Sequence, residues 1–146
     1  MSELTSKTYW EERAKEYKSN INSVLVDRRA LGHEKIVKEY LSPYKNLSAL
    51  DVACGYGRFS TCFDNYTGID FCEEFINIAK DKFKDKKFEC VDAHETNIDQ
   101  YDIVFAVIAM SSLNMTPQEF NAYYKDYAKV AVMVFELDTF YIFPKL

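Results

Sequence analysis

The sequence predicts an α/β fold, a mostly parallel sheet with helices on both faces that is shortened after its fifth strand. Three observations carry that expectation. From residue 47 onward, short apolar strands alternate with amphipathic helical stretches. The strand at 48–52 runs through Asp51 into a turn holding Gly55 and Gly57, two of only four glycines in the chain. A second strand ends on Asp70, nineteen residues after Asp51. A strand, a glycine turn, a helix and a strand ending in an acid make a nucleoside pocket. The glycines let backbone approach the ligand, and the second acid can hold ribose hydroxyls.

Each element follows from local pattern. Residues 8–18 read as a helix, because Thr8 and Glu11 form a capping-box pair and Trp10, Ala14 and Tyr17 share one face. Residues 27–41 read as a second helix, with Ala30, Leu31, Ile36, Val37 and Leu41 as its apolar set and Ser42-Pro43 as its stop. After the strand at 48–52, residues 58–63 leave room for only a short helix. A strand is expected at 67–70 and a helix at 73–83, with Phe75, Ile76, Ala79 and Phe83 on one face. Residues 88–91 form a strand that leads to Asp92. Residues 102–110 form a long apolar strand of the sheet centre. Thr116, Pro117 and Glu119 start a helix as N-cap, N1 and N3, and it runs to about residue 127. A central strand spans 130–137, and 139–146 offers one more strand with Pro144 near an edge. Ligands in such sheets bind at the carboxyl ends of the strands, where Asp51, Asp70, Asp92 and the stretch after Ala106 fall.

Composition bounds the possibilities. A chain of 146 residues, 48% hydrophobic and rich in aromatics, fits one globular domain. Residues 1–46 form N-terminal helices acting as a lid or cap, and residues 47–146 form the core. The net charge of −5 argues against nucleic acid as the main partner, since phosphates need clustered Lys and Arg. The four cysteines show no CxxC spacing, so a structural metal site is not expected. No apolar run approaches the about 18 residues of a membrane span, and the N-terminus begins polar, so the expectation is a cytoplasmic protein. A dinucleotide fingerprint fails, because Ser60 stands where the third glycine belongs.

Residues 47–137 resemble a class I S-adenosylmethionine-dependent methyltransferase of Rossmann-like fold. The resemblance rests on "LDVACGYGRFS", "YTGIDFCEEFINIAKDKF", "FECVDAHE" and "YDIVFAVIAMSSL", with "YWEERAKEY" similar to the leading helix of many small-molecule methyltransferases. It implies S-adenosylmethionine as cofactor. Gly55 and Gly57 would pass beside its methionine portion, with Ala53 against it. Asp51 would orient the turn or receive the ammonium group, directly or through water. Asp70 would accept hydrogen bonds from both ribose hydroxyls, with Phe71 flanking the adenine. Asp92 would take the exocyclic amine, and Ala93 would offer its backbone N–H to the ring. Ala106 would present a carbonyl to the ammonium, and Tyr9, Trp10 and Tyr17 would close over the site as a lid.

The acceptor side is less explicit. His94 is either a general base near pH 7 or a surface histidine. Ser111 and Ser112 occupy the place where many relatives carry histidines, and either touch an acceptor or cap the next turn. Tyr123, Tyr124 and Tyr127 read as packing residues. The region after the fourth strand lacks the Pro-Pro-aromatic sequence of base amino-methyltransferases, and no Pro-Cys nucleophile occurs. Methyl transfer to oxygen or nitrogen of a small molecule leads. The alternatives are a non-catalytic module or partner subunit that binds S-adenosylmethionine or S-adenosylhomocysteine, and another reaction of the same cofactor. The short chain after residue 138 leaves a sheet edge, which residues 139–146 or a second subunit should cover.

Overall fold

A computed structural model describes residue 11 and residues 28–93 and 100–145. Helix α1 (Arg28–Leu41) precedes strand β1 (Ser48–Val52). There follow β2 (Asn65–Asp70), α2 (Glu73–Lys82), β3 (Lys87–Cys90), β4 (Tyr101–Val107), the short α3 (Met110–Leu113), α4 (Pro117–Tyr124), β5 (Ala128–Phe135) and β6 (Phe140–Pro144). The expected helix at 8–18 lies outside the described residues, as do Tyr9, Trp10, Tyr17 and His94.

The six strands form one sheet in the order β3-β2-β1-β4-β5-β6. All neighbours run parallel except β6, which pairs antiparallel with β5 from Phe135↔Phe140 to Ala131↔Pro144. The tail therefore covers the edge that β5 would otherwise expose, as expected of residues 139–146. The strand order reverses between β1 and β4, which opens a crevice at their carboxyl ends. At the opposite ends, a reciprocal pair sets the β1–β4 alignment. Asp102 Oδ2 accepts from the Ser48 N–H at 3.0 Å, and the Asp102 N–H donates to Ser48 Oγ at 2.9 Å.

Strand alternation sends Ala49, Ile103, Phe105, Met133 and Phe135 to one face, where Val37 and Leu41 of α1 and Ile76 and Ala79 of α2 cover them. Leu50, Val52, Val104, Val132 and Val134 face the other way, onto Met110 of α3 and Phe120 and Tyr124 of α4. Helices thus lie on both faces. His33, Val37 and Leu41, four residues apart, make the buried stripe of α1. Ile36, expected in that stripe, is 55% exposed, because it falls about 100° around the helix from Val37.

Some boundaries differ from expectation. Residues 58–63 hold only a 3₁₀ turn at Ser60–Cys62. A chain of i→i+3 bonds (Gly57 N–H to Cys54 O, Ser60 N–H to Gly57 O, Cys62 N–H to Phe59 O) carries the segment across. Phe59 and Phe63 are both drawn onto Phe105 in the core, at 6.4 and 5.6 Å between ring centroids. Strand β4 stops at Val107 rather than 110, because Ile108 turns to a left-handed φ of 50°. Strand β5 spans residues 128–135 instead of 130–137. The start of α4 matches expectation in detail. Thr116 Oγ1 accepts the Glu119 N–H at 3.1 Å, and Glu119 Oε1 accepts the Thr116 N–H at 3.0 Å.

Candidate functional site

The chain leaves β1 through Ala53, Gly55 and Gly57, all at positive φ (61°, 59° and 88°). For Ala53 this is a strained conformation of the kind found at ligand sites. The two glycines serve different needs. A Cβ on Gly57 would stand 2.9 Å from Phe88 Cζ, so this position is closed by packing. A Cβ on Gly55 would meet nothing within 4 Å among the described residues. Among the described residues, the backbone at Gly55 therefore has an open side at the carboxyl end of β1.

Asp70 ties that turn to the next helix. Its Oδ2 accepts the Gly55 N–H at 2.9 Å and its Oδ1 accepts the Cys72 N–H at 2.9 Å, just before α2 begins. Burial pushes the Asp70 carboxyl up to about 6, against the pull of the Cys72, Gly55 and Phe71 N–H groups. Phe71 is half-buried and, like Tyr56 and Ile78, packs against Cys72 and Phe75. Tyr56, from the middle of the glycine turn, lies 6.1 Å from Phe75 between ring centroids, which joins the turn to α2.

Asp51 behaves differently. It is 1% exposed and accepts the Tyr66 hydroxyl at 2.6 Å. Burial pushes its carboxyl up to about 7, Tyr66 and Arg58 pull it down, and Asp70 pushes it up again. Cys54 lies beside this pair, its thiol held well above the usual range by burial and by the two acids.

Asp92 is exposed beyond the end of β3, and Ala93 is buried with its carbonyl accepting the Tyr124 hydroxyl at 2.8 Å. Tyr124 is thus a packing residue that also fixes the strand-end loop. Ala106 is fully buried inside β4. At the end of that strand, Ile108 is 38% exposed, and its N–H donates to Phe135 O at 2.9 Å. Ser111 is exposed on α3, whereas the Ser112 hydroxyl donates to Ala109 O at 3.0 Å, which is the turn-capping alternative.

The structure thus gathers Asp51, Ala53, Gly55, Asp70 and Phe71 around the ends of β1 and β2, with Asp92 and Ala93 at the end of neighbouring β3. Sequence reasoning missed Tyr66, whose signal is a strand position two before Gly68. It also missed Glu136. This residue follows β5, and its Oε2 is buried without a partner among the described residues. Burial raises its carboxyl against the pull of the Met110 and Ala109 N–H groups. His33 was missed as well; its Nε2 lies 2.9 Å from the Glu136 carbonyl oxygen.

A crevice at the reversal point of a parallel sheet, walled by a glycine turn and by an acid on the next strand, defines a nucleoside-binding α/β protein. Residues 49–132, more than half of the chain, match the model of the methyltransferase domain, and the chain belongs to that family. The family is of the class I, Rossmann-like, S-adenosylmethionine-dependent kind. A search of the curated proteins found no match.

Solved structures share the fold. Magnesium protoporphyrin IX methyltransferase from Synechocystis PCC 6803, with bound S-adenosylmethionine, is similar at a TM-score of 0.70 and 17% identity, over 92% of this chain and 76% of that one. Phosphoethanolamine N-methyltransferase 1 of Haemonchus contortus is similar at 0.63 and 17%, over 92% of this chain and 33% of that one. The plantazolicin methyltransferase BpumL, with S-adenosylhomocysteine and a desmethyl analogue, is similar at 0.61 and 21%, over 92% and 57%. The chain spans 49% of Streptomyces venezuelae DesVI, to which it is similar at 0.55 and 19% identity. No helix of the described residues is long and apolar enough to cross a membrane.

Proposed function

We propose that this chain binds S-adenosylmethionine at the carboxyl ends of β1 and β2, beside the reversal point of the sheet, and transfers its methyl group to an oxygen or nitrogen of a small-molecule acceptor. The observation that carries the reading is the Asp70 carboxylate, held at the strand end by the Gly55 and Cys72 N–H groups and bordering the open side of Gly55. The residues present fit the cofactor. The Asp70 carboxylate, with about four lone-pair sites, keeps capacity for ribose hydroxyls beyond its backbone donors. The open side of Gly55 leaves room for backbone-close passage of the methionine portion. Phe71 and Tyr56 offer flat apolar surface for adenine, with Asp92 and the Ala93 N–H at its polar edge.

The bound cofactor supplies a sulfonium methyl, already electrophilic. The chain therefore has to orient donor and acceptor and keep water out, with no nucleophile of its own. Ala106 and Asp51 serve the ammonium end, and Ile108 turns an apolar side chain toward the acceptor side. Strain concentrated at Ala53 and Ile108 fits residues held for function rather than stability. Ser111, exposed on α3, would touch the acceptor. His94 and the Tyr9, Trp10 and Tyr17 lid belong to this proposal on sequence grounds alone.

The net charge of −5 supports a small molecule over nucleic acid. The test is calorimetry with S-adenosylhomocysteine, followed by a methyl-transfer screen of hydroxylated and amine metabolites using the purified chain alone. Binding with turnover of one acceptor class is the expected result. Binding without turnover on any acceptor favours the non-catalytic module, and no binding removes the cofactor reading.

A further inference from the structure

A buried tyrosine is wired to the first acid of the glycine turn, and no part of the cofactor reading uses it. Tyr66 and Gly68 point to the same face of β2, and Gly68 stands opposite Asp51 in the parallel register, while Tyr66 stands opposite Ala49. The phenol therefore reaches Asp51 only by crossing over Gly68. The glycine provides that slot, since a Cβ there would lie 2.9 Å from Tyr66 Oη and 2.8 Å from Cys54 Sγ. At the far end Tyr66 Oη donates to Asp51 Oδ2 at 2.6 Å, the length of a charge-assisted O–H···O bond. The ring is fixed edge-on against Phe88 at 5.7 Å. Asp51 thus has its orientation set by a rigid donor one strand away.

We propose that Tyr66 is a positioning residue of the cofactor site: its hydroxyl holds the Asp51 carboxylate in place to receive the cofactor's ammonium group and favours the charged form that the ammonium needs. This rests on the reading of Asp51 as an ammonium partner. The balance is simple. Where Asp51 is protonated before binding it loses that proton to solvent, the ammonium keeps all of its own, and an ion pair forms. No covalent bond changes.

The surrounding charges agree. Arg58 is the cation of the cluster, and it is shared with Glu34 of α1 at 3.4 Å. Asp70 opposes a second negative charge, and Cys54 and Cys62 stay neutral because burial holds both thiols above their usual range. Of the remaining ionisable groups on α1, Lys38 pairs with Glu34 and His33 engages the Glu136 carbonyl. An incoming ammonium is the charge that makes a buried Asp51 carboxylate favourable.

The test uses S-adenosylhomocysteine as probe, titrated calorimetrically into wild type, Y66F and D51N from about pH 5.5 to about pH 8, in two buffers of different ionisation enthalpy. In wild type, affinity should rise about tenfold per pH unit below about 7, with nearly one proton released on binding. In Y66F the midpoint should move up by about one pH unit, with about tenfold weaker binding below about pH 6, because a hydrogen bond to the charged form is gone. Between about pH 6.5 and about pH 8, D51N should lose both the slope and the proton release, leaving near pH 6 only the part that Asp70 contributes; the ligand's own amine titrates equally in all three proteins. Wild-type affinity and profile in Y66F overturn the proposal, as does a wild-type slope in D51N. Infrared titration of the Asp51 carboxyl in the ligand-free protein gives a readout independent of binding. An unshifted titration in Y66F refutes the Tyr66–Asp51 coupling even if the ligand binds, whereas failure of wild type to bind at any pH refutes the ammonium reading.

Discussion

Replacing Asp70 separates a structural tether from a ligand contact, because its two carboxylate oxygens already hold two backbone N–H groups. Each bond is 2.9 Å long, and the residue is only 8% exposed. In Asp70→Ala both donors lose their partner, at about 1.5–3 kcal/mol each for bonds to a charged acceptor. Removing a buried carboxylate returns part of that, since burial raises the group to about 6 even against its backbone hydrogen bonds. A net loss of about 3 kcal/mol is expected in denaturant unfolding. Asp70→Asn keeps one acceptor oxygen and turns an amide NH₂ toward the other donor, so about half of that loss is expected. For S-adenosylhomocysteine the comparison sharpens. Two ribose hydroxyls on a charged acceptor are worth about 1.5–3 kcal/mol apiece, so a folded Asp70→Asn protein should bind at least about 100-fold more weakly in calorimetry. Wild-type affinity in folded Asp70→Asn refutes the ribose role. Wild-type stability in Asp70→Ala refutes the tether.

Two further substitutions test how the strand ends are built. Gly55→Ala should keep the fold, losing about 1 kcal/mol for a left-handed φ, yet abolish calorimetric S-adenosylhomocysteine binding because the methyl enters the open side of the turn. Gly57→Ala should instead lose about 3 kcal/mol or more in thermal unfolding, because the methyl meets Phe88 at 2.9 Å; equal stability of the two variants would contradict the assigned roles. Ile108→Asn should be about 1 kcal/mol more stable in denaturant, since asparagine tolerates the φ of 50° that strains a β-branched residue. A clear loss of stability would show that Ile108 is held by packing.

The residue pattern alone determined most of the architecture. Alternating apolar stretches placed every strand of the sheet within a few residues, and local rules were enough where the physics is local. Thr116 and Glu119 bond to each other's backbone three residues apart, so their pairing is readable before any fold is known. The acids at the ends of β1 and β2 were legible for the same reason, because strand and turn chemistry places Asp51 and Asp70 beside a glycine turn. What the tertiary structure decided depends on contacts between distant residues. Whether β4 ends at Val107 or continues turns on the left-handed φ of Ile108, whose N–H is bound by Phe135 O across the sheet. Whether residues 58–63 coil as a helix depends on Phe59 and Phe63 being drawn onto Phe105. Glu136 meets His33 across 103 residues of chain. The glycine pair shows the division best. The sequence marks both as a turn, but only the positions of Phe88 and of the crevice show that Gly57 serves packing and Gly55 faces open space. Asp51 is similar: strand periodicity places it on a face, but only the β1–β2 register brings Tyr66 over Gly68 to its carboxylate, because side-chain neighbours in a sheet are set by alignment between strands that neither strand encodes by itself.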